Sequence, residues 1–321
     1  MIRLWIEGGA LYVKKSPKPR RRPGHALLRL LCGGICNTDL ELLHGYYSFA
    51  GQPGHEFVAE VIAADDKGWL GKRVVGGINL PCRHCEWCAA GMERHCPRRT
   101  VLGIVKQPGA FAEYFTLPEA NLLAVPVGVR TEHAVFAEPV AAACEILDQV
   151  RMPKGAPVAV LGDGKLGLLI AQVLAAHGAE VHQFGKHVGK LAVAAKAGIA
   201  VHLNEPPPRA RFQFTVEATG SASGLKTAVE MTRPRGTIIL KSTVHGDISL
   251  DMAPVVVNEI TLVGSRCGRM EPAMKLIRSG KLLLDDMITG EFALAGGPEA
   301  FLEAQRPGSM KVLLHAGTGS R

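Results

Sequence analysis

The sequence predicts an α/β protein in two parts: a β-rich amino-terminal domain and a doubly wound domain built on a parallel sheet. Three observations lead there. The chain has 321 residues, more than one hydrophobic core usually holds, so two domains are expected. Up to about residue 140, short apolar runs are separated by turns. From Glu138 onward, apolar runs alternate with helical periodicity, the rhythm of βαβ units.

In the first part, residues 26–31 and 57–62 are strand-like runs bounded by Gly, Pro and Asp. A helical stretch over 140–150 leads through Pro153 and Gly155 to the buried-strand run Pro157–Leu161. A helix over 166–177, Gly178 and a strand over 180–184 complete one βαβ unit. Further strands are read at Phe212–Glu217, 237–240 and 261–263, with a helix over 222–232. The last fifty residues are mixed again. The expected domains are 1–140, with a lobe at 80–100, then 141–270, then a carboxyl-terminal segment 271–321.

With 47% hydrophobic and 21% charged residues, the composition is that of a folded globular chain. Six basic residues, Lys14, Lys15, Lys18, Arg20, Arg21 and Arg22, account for most of the net charge of +8. Pro17, Pro19 and Pro23 interrupt them, and Pro blocks both helix and central strand. The stretch is read as a solvated loop; the alternative is a phosphate-binding patch. No aromatic residue is interleaved, so it offers no stacking platform, and no nucleic-acid partner is expected. Residues 1–10 contain no long apolar region, and 158–176 are interrupted by Asp163, Lys165 and glycines. No membrane association and a cytoplasmic location are therefore expected. Four of the eight cysteines fall between Cys82 and Cys96, and clustering of this kind in an intracellular chain points to metal.

That cluster is Cys82-x2-Cys85-x2-Cys88-x7-Cys96, flanked by Pro81 and Pro97. Short gaps let successive thiolates fold around one ion, and four protein ligands close a structural zinc site. His84 and His95 lie inside the cluster and are read as bystanders. A second set is dispersed: Cys36, His55 with Glu56, and Glu138. One thiolate, one imidazole and two carboxylates suit catalytic zinc. On the residues alone, a core cysteine and a structural histidine explain them as well.

The third constellation is Gly162-Asp163-Gly164-Lys165-Leu166-Gly167, with an apolar strand before it and a helix after it. Gly162 permits a tight turn, Gly164 lets backbone approach a pyrophosphate, and Gly167 allows close helix–strand packing. The helix start, with Lys165 and Leu166, then faces the phosphates with its positive end. Asp163 is awkward so near a pyrophosphate, and Lys165 compensates for it.

Taken in order, Gly-Ile-Cys36-x-Thr38-Asp39, Gly-His55-Glu56, the four-cysteine cluster, Glu138-Pro and Gly162-x-Gly164-x-x-Gly167 resemble the zinc-dependent medium-chain dehydrogenase/reductase family. The resemblance covers nearly the whole chain. It implies a GroES-like β-rich catalytic domain, a Rossmann domain and a final segment that returns to the catalytic domain. It also implies hydride transfer between a small alcohol or polyol and a nicotinamide dinucleotide, with two zinc ions per chain, one catalytic and one structural. Carried across residue by residue, Cys36, His55 and Glu138 correspond to the catalytic zinc ligands. Glu56 corresponds to the acidic neighbour that ligates zinc or exchanges with its water, and Cys82, Cys85, Cys88 and Cys96 to the structural ligands. Thr38 corresponds to the hydroxyl that takes the substrate proton. A homodimer or homotetramer is implied.

Departures from the pattern matter. Animal alcohol dehydrogenases carry a cysteine where Glu138 stands; Glu-Pro is more similar to polyol, threonine and glucose dehydrogenases. The relay histidine is replaced by Glu41, and His44 is the nearby substitute. The chain is short for the family, so some pocket loops are expected to be trimmed. Tyr46, Tyr47 and Phe49 either line the substrate cleft or pack an ordinary loop.

The cofactor expectation is NADP, with NAD possible. NAD-selective folds put an acid at the end of the second strand, about twenty residues past the turn. Here that strand ends in Gly185-Lys186-His187, and Glu180 stands at its start. Gly185 leaves room for a phosphate, Lys186 supplies charge and His187 a hydrogen bond. Two alternatives stay open: a zinc-binding nucleic-acid-binding protein, which tight salt-dependent binding would reveal, and a catalytically silent relative, which a chain without zinc would favour.

Overall fold

The computed structural model describes residues 1–243 and 247–317; residues 318–321 of the expected final segment lie outside the described residues. The chain forms two compact units. One comprises Met1–Glu138, Met270–Arg278 and Ile288–Arg321, the other Pro139–Arg269 and Ser279–Met287.

The first unit is organised by the strand His25–Gly34. Its inward residues Ala26, Leu28, Leu30 and Cys32 are buried, the period of two that a strand requires. This strand pairs antiparallel with Glu56–Ala63, with Tyr114–Pro118 and with Lys311–His315. The register sets Gly34 opposite Glu56 on one side and opposite Leu313 on the other. Three distant segments are thereby brought to one end of the sheet, just where the chain passes through Ile35 to Cys36. Ile35 continues the alignment, its N–H bonding to the Val312 carbonyl at 3.0 Å. A short helix, Asn37–Leu43, begins there with Cys36 as N-cap. A separate three-stranded sheet closes the cysteine lobe: Asn79–Leu80 pairs antiparallel with Thr100–Leu102, which pairs with Lys106–Gln107. It holds together the two ends of the loop carrying Cys82 to Cys96.

The second unit has six parallel strands in the spatial order Ala200–Leu203, Glu180–Gly185, Pro157–Leu161, Phe212–Glu217, Thr232–Leu240 and Thr261–Gly264. By chain position this is 3-2-1-4-5-6, the order of a Rossmann sheet. Val158 to Leu161 are all buried, as expected of a central strand covered on both faces. Leu161, Phe184, Phe212, Ala228, Met231 and Ile238 pack as one core cluster. The helix Lys165–His177 stops at Gly178, which takes the left-handed conformation at φ +102°. No helix among the described residues is long and apolar enough to cross a membrane.

Candidate active site and metal centres

In the cysteine lobe the ligand atoms of Cys82, Cys85, Cys88 and Cys96 lie within 4.8 Å of one another. Sγ–Sγ separations are 3.5 Å for Cys85–Cys88, 3.5 Å for Cys96–Cys82 and 3.8 Å for Cys85–Cys96. A disulfide requires about 2 Å, so these are separate thiols. A tetrahedron with Zn–S bonds of about 2.3 Å has edges of about 3.8 Å, close to the spacing seen. Local structure supports the arrangement. Cys85 caps the short helix Glu86–Ala89, and the turn Glu93–His95 returns the chain to the buried Cys96. The His84 backbone N–H is the main cause of a Cys82 pKa lowered to about 6, the direction a metal-binding thiolate needs. The His84 ring is turned to the Cys82 carbonyl.

The second group is Cys36, His55 and Glu56, again with ligand atoms within 4.8 Å of one another. His55 and Glu56 are buried and Cys36 is half-buried. Asp39, fully buried, organises the group. Its carboxylate accepts from the Cys36 N–H at 2.9 Å and the Gly54 N–H at 3.1 Å, and lies 3.4 Å from His55 Nδ1. That last distance is one of charge proximity, because His55 Nδ1 has no aligned hydrogen-bond partner among the described residues. A carboxylate behind Nδ1 is the usual way to fix a ligand histidine's orientation. Burial works against a charged His55 ring, but Asp39 and Cys36 outweigh it and raise its pKa well above the ordinary value.

Lys311 completes the group. Its ammonium forms a buried ion pair with Glu56, 255 residues away in sequence. Burial opposes its charge, yet Glu56, Cys36 and Asp39 together raise its pKa. Three groups that become anionic therefore face one lysine and one histidine in a water-poor setting. A divalent cation bound there would balance the excess negative charge, so the donor set fits zinc in chemistry as well as in spacing. Glycine at 34 is part of the design. A Cβ there would meet Val135 Cγ1 at 2.6 Å, Glu56 Oε2 at 2.7 Å and Lys311 Cδ at 3.1 Å.

The remaining expected residues are placed as follows. Thr38 lies in the first turn of the helix Asn37–Leu43, its Oγ1 3.9 Å from Cys36 Sγ. Glu41 lies on the same helix and His44 at its far end, where the His44 ring meets Gln305 Oε1 at 3.1 Å. Glu138 occupies the first turn of the helix Ala137–Gln149. Glu41, His44 and Glu138 are outside the 4.8 Å group among the described residues. Tyr46 and Tyr47 stack at 4.0 Å between centroids, and Tyr47 adopts φ +59° with its side chain exposed. The roles of Asp39 and Lys311 were not read from sequence. Asp39 was visible as part of the Thr-Asp motif, whereas Lys311 carried no spacing signal at all.

In the second unit the Gly-rich turn has its expected backbone. Gly162 adopts φ +106°, and a Cβ there would meet the Ala218 carbonyl oxygen at 2.5 Å. Gly164 caps the helix Lys165–His177, and a Cβ there would meet nothing within 4 Å. That open space beside a helix N-terminus fits a pyrophosphate. Asp163 is turned toward the end of the second strand. Its carboxylate accepts from the Lys186 and His187 backbone N–H groups, both at 2.7 Å, and lies 3.0 Å from His187 Nδ1. Burial opposes its charge, but the bonds from His187 and Lys186 outweigh it and lower its pKa. The space above Gly185 is therefore filled, since a Cβ there would meet Asp163 Oδ2 at 2.5 Å. Gly185 accommodates Asp163 rather than leaving room for a phosphate, and His187 is already engaged.

Comparison with known proteins agrees with this geometry. Residues 22–127 match the alcohol dehydrogenase GroES-like domain, and residues 166–279 match the zinc-binding dehydrogenase domain. The chain is 31% identical to the D-altritol 5-dehydrogenase of Agrobacterium fabrum, over 81% of this chain and 82% of that one. It is 29% identical to the erythritol/L-threitol dehydrogenase of Mycolicibacterium smegmatis, over 86% of each. The fold superposes on an alcohol dehydrogenase from Thermus sp. ATN1 with a TM-score of 0.91 at 27% identity, covering 98% of this chain and all of the other (100%). The domain order, the two clusters of ligand side chains and these similarities agree: the chain belongs to the zinc-dependent medium-chain dehydrogenase/reductase family.

Proposed function

We propose that the protein interconverts a small alcohol or polyol and its carbonyl counterpart, using a nicotinamide dinucleotide as hydride carrier. The observation that carries this reading is the convergence of Cys36, His55 and Glu56, with Asp39 behind the histidine and Lys311 on the glutamate. These three side chains would hold a catalytic zinc, and Glu138 is the fourth candidate ligand. Zinc bound there supplies a Lewis acid that makes an alcohol hydroxyl more acidic. Asp39 orients His55 for that purpose, and Lys311 holds the buried Glu56 in place through their ion pair. The Thr38 hydroxyl accepts the substrate proton, and Glu41 or His44 passes it on to solvent. Cys82, Cys85, Cys88 and Cys96 would hold the structural zinc. Residues 1–140 with 271–321 serve as the catalytic domain and 141–270 as the dinucleotide domain, except that Ser279–Met287 group with the dinucleotide unit, in a homodimer or homotetramer.

The test is a panel of alcohols, polyols and aldehydes offered with both nicotinamide cofactors and read by absorbance of the reduced ring. Turnover is expected in wild type. Thr38→Val is expected to lose most of it while keeping its zinc, because only the proton acceptor is removed. Near-normal turnover in Thr38→Val would remove that residue from the mechanism.

For the cofactor we favour NADP, supported by Lys186 and by the absence of an acid within the strand end itself. A specific observation also favours NAD: Asp163 brings a carboxylate to the same strand end from the Gly-rich turn. Gly185→Asp is unsuitable as a test, because the new side chain would collide with Asp163. Lys186→Ala separates the two readings. Under the NADP reading it lowers kcat/KM for NADP by about tenfold, roughly 1.4 kcal/mol, and leaves NAD nearly unchanged. Better use of NAD by the wild type would decide for Asp163.

A further inference from the structure

The basic stretch after Lys15 does more than solvate a loop. Residues 16–22 form one wall of a concave pocket of about 750 Å³. Arg3 on the strand Ile2–Glu7 and Tyr114 on the strand Tyr114–Pro118 contribute other parts of the wall. Among the described residues lining it there is no acidic side chain. It shares no residue with the Cys82–Cys96 loop, with the Cys36 group or with the Gly-rich turn.

The cations around this pocket are held in place without being neutralised. The Lys18 ammonium sits 3.9 Å over the Tyr114 ring, and the Arg3 guanidinium 4.5 Å over the Trp5 ring. A ring face positions a cation but leaves its full charge available. Arg20 and Arg22 have no acidic partner among the described residues. Arg21 between them is different: it bonds to Asp65 and to the His25 carbonyl, and Asp65 also takes the Gly24 N–H. Asp65 thus anchors the loop at its end and spends its charge on Arg21. Pro17 and Pro19 stiffen the segment before it. Within the wall, Arg3 Nε and Ser16 Oγ are buried polar atoms with no hydrogen-bond partner among the described residues. Gln107 adds an amide.

Four uncompensated cations around one cavity repel one another unless an anion joins them. Guanidinium groups match phosphate oxygens in pairs, and the stiffened loop has little freedom to lose on binding. The volume is that of a small-molecule site. We infer that this pocket is a second ligand site on the chain, and that it takes a small phosphate ester carrying two or more phosphate charges, of the nucleotide or sugar-bisphosphate class.

Calorimetric titration of the full-length protein at low salt tests this, with inorganic pyrophosphate as the probe. Besides any binding at the Gly-rich turn, which the substitutions below leave untouched, one saturable event is expected at this pocket, tighter than that of inorganic phosphate and weakened as salt is raised. In Arg20→Ala/Arg22→Ala its affinity should fall at least tenfold, with dehydrogenase kcat/KM unchanged. Lys18→Ala is the second variant and should weaken binding in the same direction if the double variant does not fold. Binding unaltered by these substitutions would place the anion elsewhere and overturn the inference. So would pyrophosphate binding no better than phosphate. Tighter binding of duplex DNA or of phosphatidylserine vesicles than of pyrophosphate would overturn it too, by marking a general polyanion surface.

Discussion

His55→Ala should lower kcat/KM roughly a thousandfold or more, about 4 kcal/mol of transition-state stabilisation, while leaving the fold largely intact. The ring is one of three donors within 4.8 Å, and neither Cys36 nor Glu56 can replace it. The fold should survive because His55 is not needed to pair the strands. Its backbone lies just before Glu56–Ala63, whose pairing with His25–Gly34 is made by main-chain bonds. The expected signature is loss of turnover with little change in the unfolding transition, together with loss of about one zinc per chain. Retained turnover in the variant would exclude His55 from the centre.

Cys85→Ala should act on stability instead. It removes a thiolate from a lobe whose other support is three short strands and two short helical turns. So little apolar surface cannot hold a loop of this length in one shape, so the metal would carry much of the lobe's folding energy. The expected result is loss of about one zinc per chain and a lobe open to proteolysis between Cys82 and Cys96. The second unit should keep its own transition, since its core of Phe212, Ile238 and neighbours is separate. A Cys85→Ala protein with full zinc content and wild-type protease resistance would contradict the structural role.

Much of this was legible in the sequence because the signals are local. The cysteine spacing, the Gly-rich turn and the buried run Pro157–Leu161 are each contained in a few residues, and the structure forms them as the pattern implies. The longer helices were also visible through their periodicity, within a few residues at their ends. Other elements were not. The strand Ala200–Leu203 lies at a sheet edge with its end residues exposed, so it carries no apolar alternation. The strand Thr232–Leu240 begins five residues before 237, through Arg233-Pro234-Arg235, where its pairing with Phe212–Glu217 shifts register. The site itself was legible where motifs carried it and illegible where topology did. Lys311 reaches Glu56 only because Lys311–His315 pairs beside His25–Gly34. Gly185 was assigned to the wrong neighbour for the same reason: nothing in the local sequence says that Asp163 folds onto it.

Zinc content and turnover, measured on one preparation before and after chelation, test the central claim most directly. About two zinc equivalents per chain are expected in the intact protein. Turnover should vanish when a chelator removes the more exchangeable ion and return when zinc is restored. Full turnover in protein that holds no zinc would contradict a zinc-dependent dehydrogenase built on Cys36, His55 and Glu56.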